Sequence, residues 1–302
     1  MLKIFDEHSL LLEDIGLWLD HRIAKPYGLV SHAHADHFAH HERILCSSTT
    51  AAILKKRYRV PKSKIQSVDF NTPFEYKNHT LELLPAGHIT GSAMLHVTCH
   101  HDSSTLLFTG DFKTRPSHTA EPIQFKQADH LVMESTFGKP HYSMPPSDVA
   151  EKQLIDFIDQ ALADKVTPVL LAYSLGKAQE AHYLLGKHNI APILHPAVAK
   201  MSAECIRLRV NLPDYYYLDE LGPARQCIIM PPGAMKSTYL AAVGNYRTAM
   251  LTGWSLDNPK PWRYRDIGSL IPLSDHADYP SLLECVEKVQ PKKITTIHGS
   301  TK

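Results

Sequence analysis

Short apolar runs recur along the first part of the chain, at Gly16–Leu19, Gly28–Ser31, Leu81–Pro85, Leu106–Phe112 and Leu131–Glu134, and the stretch Met94–Cys99 alternates apolar and polar positions. Runs of this length bounded by Gly, Asp and Pro predict β-strands, and few helical patterns interrupt them. The rhythm changes near Pro145. Asp148 and Glu151 mark a helix start, and Leu154, Ile155, Ile158 and Leu162 recur at helical spacing as one apolar face. Val166–Tyr173 predicts a buried strand, a second helix begins near Leu175 and a second strand near Ala191. That alternation of helix and strand predicts a parallel α/β unit. After about Arg265 the chain returns to polar turns, LSDHADYPSLL, then a helix through Leu282–Val289 and the strand-like KITTIHGS. The simplest organisation is a strand-rich domain in two segments, residues 1–140 and 270–302, with an α/β module over residues 141–269 inserted between them.

Composition narrows the class. With 302 residues, 43% hydrophobic and 21% charged, the chain can bury a large core. The amino terminus has acids scattered among its apolar residues, which argues against a signal peptide, and no segment approaches the roughly 18 uninterrupted apolar residues of a membrane span. A cytoplasmic location is expected. Cys46, Cys99, Cys205, Cys227 and Cys285 lie far apart with no CxxC pair, so reduced and mostly buried thiols are expected rather than a disulfide framework or a thiolate zinc site. A net charge of +1 announces no polyanion-binding protein, although a local basic groove would be hidden in that sum. The unusual number is 20 histidines, the commonest ligands of zinc-like metals.

The histidines cluster in Ser31-His32-Ala33-His34-Ala35-Asp36-His37, directly after a strand-like run. His32 and His34 can converge on one metal, with Asp36 and His37 turned toward a second. Packing three imidazoles and a carboxylate into so short a loop is a poor way to build a core, because each needs a polar partner. The adjacent His40 and His41 read as surface histidines.

HxHxDH resembles the second ligand motif of the metallo-β-lactamase superfamily, and the other motifs follow in register: Asp20 in LWLD, His88 in PAGHITGSA and Asp111 in FTGDFK. The resemblance implies a four-layer αββα fold holding two divalent ions, zinc first, with manganese or iron as alternatives. It implies that His32, His34, His88 and Asp111 hold one ion, and that Asp36, His37, the shared Asp111 and His298 hold the other. Asp20 is expected to orient the loop by hydrogen bonds without touching metal.

Further segments resemble the β-CASP nucleases of that superfamily, whose small α/β cap is inserted in the fold: VMESTFG, LSDHADY, His298-Gly299, and AYSLGKAQE between them. Taken together with GDFK, ESTFGKPHY and LTGWSL, these look most like the bacterial exonucleases associated with DNA ligase. Relatives in interstrand-crosslink repair usually have valine at the position of His298. Family members also continue through another helix and strand where this chain stops at Lys302, so a truncated form is expected.

The resemblance implies hydrolysis of a nucleic-acid phosphodiester by a hydroxide held between two metal ions. Asp36, His276 and Glu134 are the candidate catalytic residues. His276 is the candidate acid or phosphate contact, with Glu134 fixing its imidazole and favouring its protonated form. Lys113, Arg115, Lys139 and Lys177 are candidates for a phosphate track, and Ser174 for a phosphate contact at a helix start. The basic cluster from Lys55 to Lys64 reads as a helix surface and its following turn, and Tyr215, Tyr216 and Tyr217 as a buried strand. The implied partner is DNA in preference to RNA, with DNA ligase or helicase repair partners. Rival readings are a thioester, lactam or lactone hydrolase on the same fold, which has no reason to keep the cap segments, and a non-catalytic scaffold, which would be expected to lose metal ligands.

Overall fold

The computed structural model describes residues 2–6, 9–217, 226–241, 243–257, 264 and 266–299. The chain divides into two compact units, residues 1–140 with 276–302, and residues 141–275.

The first unit is a sandwich of two six-stranded sheets. One sheet runs in sequence order through β1 (Leu2–Asp6), β2 (Ser9–Leu12), β3 (Leu17–Leu19), β4 (Tyr27–Leu29), β5 (Arg43–Ser47) and β6 (Ile65–Val68). The other contains β7 (Phe74–Glu75), β8 (His79–Pro85), β9 (Ala93–Cys99), β10 (Thr105–Phe108), β11 (His130–Glu134) and β18 (Lys293–Ile297), with β18 at one edge beside β11. Leu10, Leu17, Leu19, Leu29 and Leu45 of the first sheet meet Leu81, Leu83, Leu95, Phe108 and Val132 of the second in one buried cluster. The alternate residues Leu84, Met94, Leu107, Leu131 and Met133 face the other way, against Leu282, Cys285 and Val289 of helix α6 (Tyr279–Val289). Helix α1 (Ser48–Tyr58) lies over β5 and β6. A strand buried on both faces therefore reads as a continuous apolar run, and the layers are helix, sheet, sheet, helix, as the resemblance implies.

The second unit is a six-stranded, wholly parallel sheet of β12 (Thr167–Leu171), β13 (Ile193–Leu194), β14 (Tyr216–Tyr217), β15 (Ile228–Met230), β16 (Tyr246–Leu251) and β17 (Ser269–Ile271), in the order β14-β13-β15-β12-β16-β17. Leu170, Ile229, Ala249 and Leu251 pack against α2 (Ser147–Ala163), α3 (Lys177–Lys187) and α4 (Pro196–Arg207), while Val169, Leu171, Ile228, Met230 and Met250 pack on the opposite face, where α5 (Thr238–Ala241) contributes Leu240. Since β17 pairs with β16, the expected boundary at residue 270 moves to 275/276.

Three other expectations change. The strand expected over Leu106–Phe112 stops at Phe108, because Gly110 takes a φ of +55° and a Cβ there would meet Ser31 Oγ at 2.7 Å. Tyr216 and Tyr217 form an edge strand, but Tyr217 is 47% exposed rather than buried. His41 is no surface histidine. Its ring is fully buried against Gly28, and its Nδ1 accepts the Lys25 N–H at 3.1 Å.

Burial lowers the His41 pKa to about 4, helped by the neighbouring His21 and Lys25 and opposed by Asp20. A folded value below the ordinary 6.5 means that the imidazole is neutral in the fold and gains a proton on unfolding. Its contribution to stability is thus complete above pH 6.5 and is lost as the pH falls toward 4. A His41→Asn variant should show a shallower fall of urea midpoint over that interval than the parent chain, and equal slopes would refute the assignment. In the sandwich core, Phe108→Ala should cost about 3–5 kcal/mol in urea unfolding, because the ring is fully buried between the sheets.

Candidate metal and catalytic site

Strand ends gather the candidate ligands. Strands β10, β11 and β18 are parallel neighbours, so their carboxyl ends lie side by side. Asp111 follows the first of these ends, Glu134 closes the second and His298 follows the third. In the other sheet, β4 delivers Ser31-His32 and then the turn Ala35–His37. His88 comes from the loop between β8 and β9, held by backbone hydrogen bonds from its own N–H and that of Ile89 to Ser92 Oγ. Gly91, with φ +81°, pins the same loop to the start of α1, its carbonyl accepting from Ser47 Oγ at 2.6 Å and Thr50 Oγ1 at 2.8 Å. Glu121 accepts the Gly91 N–H at 2.8 Å. Chain order conveys nothing of the role of Glu121, thirty residues away, whereas Ser92 lies inside the GHITGSA segment.

The donor atoms meet in overlapping groups. His32, His34 and His88 form one, in which His34 Nδ1 lies 3.1 Å from His32 Nε2 and 3.2 Å from His88 Nε2. His37, Asp111 and His298 form another, with His37 Nε2 at 3.2 Å from Asp111 Oδ2. That one carboxylate oxygen is also 3.7 Å from His32 Nε2 and 3.9 Å from His88 Nε2, which places Asp111 between the two groups. Imidazole nitrogens and carboxylate oxygens facing one another within 4.8 Å fit a divalent ion of the zinc type.

Asp20 stands behind this layer. Held at φ +44°, it accepts from the Ser31 N–H at 2.7 Å and the Ser31 hydroxyl at 2.5 Å, and it faces His37 Nδ1 at 2.9 Å. Short polar side chains such as Asp tolerate this left-handed backbone. Asp36 stands apart from the donor groups. Its carboxylate is 60% exposed and 3.9 Å from His37 Nε2.

Glu134 is fully buried and accepts the Phe112 N–H at 2.8 Å, and its two oxygens lie 3.1 and 2.9 Å from His276 Nδ1. The same His276 nitrogen is 3.9 Å from Asp111 Oδ2. The structure thus brings His32, His34, His37, His88, Asp111, His298, Glu134 and His276 together, with Asp20 behind them.

The candidate phosphate contacts lie otherwise. The Lys113 side chain is buried, and its backbone N–H bonds the Ala86 carbonyl. Arg115 is paired with Asp278, and Lys177 with Asp275 at 2.5 Å, both lysine and aspartate side chains being buried. Ser174 is half-buried, its carbonyl accepting from Gln179 Nε2. Lys139 alone of the four basic candidates is exposed. The buried Lys177 ammonium would have to give up its carboxylate to reach a phosphate, the half-buried Arg115 guanidinium is already committed to Asp278, and the sequence could not reveal either pairing.

Charge within the cluster is divided unevenly. Burial and the neighbouring histidines His37, His88 and His34 hold His32 well below its ordinary pKa. For His37, burial works in the same direction, but Asp111 and Asp20 overcome it and raise the imidazole well above its usual value. Burial likewise opposes ionisation of Asp111, yet His37, His276 and His32 hold it well below the carboxylate range. A cation held among these groups would replace protons they otherwise share.

Residues 265–302 match the family described as "Zn-dependent metallo-hydrolase RNA specificity domain". The chain is 38% identical over 297 residues to a "Probable DNA ligase" of Opitutus terrae, covering 97% of this chain and 28% of that protein. It is 26% identical over 284 residues to the "5′ exonuclease Apollo" of Gallus gallus, covering 89% of this chain and 57% of the exonuclease. It is also 24% identical over 343 residues to an "RNase J-like protein" of Methanocaldococcus jannaschii, covering 90% and 80% of the two chains. The chain therefore spans under a third of the ligase and little more than half of the exonuclease. Among the described residues, no helix is long and apolar enough to cross a membrane.

Asp20→Asn removes the charge behind His37 while keeping the shape. It should weaken metal retention by about 10–100-fold, as loss of an outer-shell carboxylate usually does, measured by competition with a chelator. Retention equal to the parent chain would show that Ser31 and the turn position the ligands without Asp20.

Proposed function

We propose that this chain, a β-CASP member of the metallo-β-lactamase fold, is a metal-dependent nuclease, and that its substrate is DNA shortened from an end during repair. The observation that carries the reading is the position of Asp111, one carboxylate between two imidazole groups, with the His276–Glu134 pair beside it.

His32, His34, His88 and Asp111 would hold one divalent ion, and His37, Asp111 and His298 the other, with Asp36 beside His37 completing that set. When bound, a zinc-type pair supplies Lewis acidity at the phosphoryl oxygens and lowers the pKa of an attacking water. Asp20 fixes His37 through Nδ1, which leaves Nε2 to face Asp111. Ser31 Oγ contacts both Asp20 and His32 Nδ1, so one hydroxyl aligns both imidazoles. Glu134 takes Nδ1 of His276, and Nε2 is then the nitrogen that delivers a proton to the leaving oxygen or contacts the phosphate. Glu134 is buried, so its carboxylate is held in place to fix the imidazole. On this reading the chain works in the cytoplasm, with a DNA ligase or helicase as partner, and zinc is the resident metal, with manganese or iron as substitutes.

A second reading, an RNA-processing nuclease, is favoured by the match of residues 265–302 to an RNA specificity domain and by the RNase J-like relative. Both polymers present the same phosphodiester, and they differ at the 2′-hydroxyl.

End-labelled single-stranded DNA and RNA of one sequence, offered with Zn²⁺ or Mn²⁺ beside an Asp111→Ala control, decide between them. Progressive shortening of DNA that a chelator stops and the control lacks is the expected result. Cleavage confined to RNA would move the chain to the second reading, and inertness toward both with metal bound would refute the nuclease assignment. Glu134→Gln should lower kcat by about 10²–10⁴-fold, the range associated with a positioned acid–base group, while metal content stays at the parent level.

A further inference from the structure

Arg115 stands four residues after Asp111, in the loop leaving β10, and its guanidinium is paired with Asp278, two residues after His276. The Asp278 side chain is 1% exposed and that of Arg115 30%. Asp278 is also the N-cap of α6, its Oδ1 accepting the Ser281 N–H at 3.1 Å and the Ser281 hydroxyl at 2.6 Å, so Oδ2 is the oxygen that takes Arg115. Thr114 Oγ1 donates to Ser281 Oγ at 2.8 Å, and the Ala277 N–H reaches the Phe112 carbonyl at 2.6 Å. Residues 112, 114 and 115 thus grip residues 277, 278 and 281. The gripping loop carries Asp111 and the gripped turn carries His276. The Phe112 N–H also bonds Glu134, the residue that orients the His276 ring.

We propose that Arg115 is a positioning residue: through Asp278 it clasps the start of α6 to the Asp111 loop and so sets where His276 stands relative to Asp111. The assignment rests on the nuclease reading for its effect on rate, but the clasp itself does not. A buried carboxylate deprived of its cation is strongly destabilised and pulls the segment around it into a new arrangement. His276, one residue before the first gripped amide, moves with that segment. Displacements of about 1 Å suffice to cost a reaction on the order of a hundredfold. Arg115 thereby acts on the chemistry without reaching the phosphate.

The test compares Arg115→Ala, Arg115→Lys, His276→Ala and the double variant Arg115→Ala/His276→Ala, with Zn²⁺ or Mn²⁺ and end-labelled single-stranded DNA, beside metal content and amide exchange. Arg115→Ala should lower kcat by about tenfold to a hundredfold, with KM, salt dependence and metal content as in the parent chain. Arg115→Lys should recover part of that loss. In the His276→Ala background the same substitution should have little further effect, since only a displaced imidazole transmits it. A loss carried by KM, a weaker salt dependence, and an equal loss with or without His276 would identify a phosphate contact and overturn the proposal. If the parent chain cleaves neither polymer, the nuclease reading fails by itself and exchange still decides the clasp. Faster exchange of the Ala277 and Ser281 amides in Arg115→Ala supports it, and unchanged exchange refutes it. Should Arg115→Ala not fold, the Lys variant carries both measurements, with smaller changes in the same directions.

Discussion

One carboxylate oxygen organises the first unit. Asp111 Oδ2 lies within 3.2–3.9 Å of His37, His32, His88 and His276, and its residue is only 5% exposed. A buried carboxylate is costly unless positive charge or donors surround it, and imidazoles packed this closely are costly unless an anion or cation lies among them. Each makes the other tolerable. The requirement fixes where the loops can end, because three separate segments must bring their imidazoles to one point.

The sandwich meets that requirement by keeping its core apart from its chemistry. Leucine and valine alternate between the sheet interface and the outer face that α6 covers, and the strand ends remain for polar side chains. Parallel pairing of β10, β11 and β18 puts the loops after them on one edge, and backbone turns at Gly110 and His298, with φ of +55° and +59°, stop the strands where Asp111 and His298 are needed. Antiparallel pairing of the same strands would have separated these residues by a strand length. Support for the candidate ligands comes from hydroxyl-bearing neighbours, Ser31 for His32 and Ser92 for the His88 loop, each bonded to groups that a folded chain must satisfy anyway.

Charge distribution shows how closely stability and chemistry are joined here. Neighbouring imidazoles of one cluster are pushed in opposite directions, His32 downward by burial and His37 upward by Asp111 and Asp20. Basic residues of the motif segments, by contrast, are mostly paired within the fold. Arg115 and Lys177 neutralise Asp278 and Asp275, the two aspartates that flank His276 in SDHAD, so both acids beside that histidine are themselves countered.

The sequence by itself determined the strand-rich segments and the α/β unit between them through strand length and helical spacing, and HxHxDH with its companion motifs, by resemblance, carried the layers and the candidate ligands, because these are local or ordered features that survive without coordinates. It also marked Glu134 and His276 through their motif segments. What it could not decide was proximity. His41 looked like a surface neighbour of the HxHxDH loop, yet Gly28 makes room for its ring in the core. Arg115, Lys113 and Lys177 looked like phosphate contacts by nearness in sequence, yet partners 163 and 98 residues away take Arg115 and Lys177, and Lys113 is buried. Such pairings depend on which distant segment the fold lays alongside, and on how much water it excludes there. Neither is written in the local order of residues, so only the tertiary structure decides which charges are paired within the fold and which stay open to water.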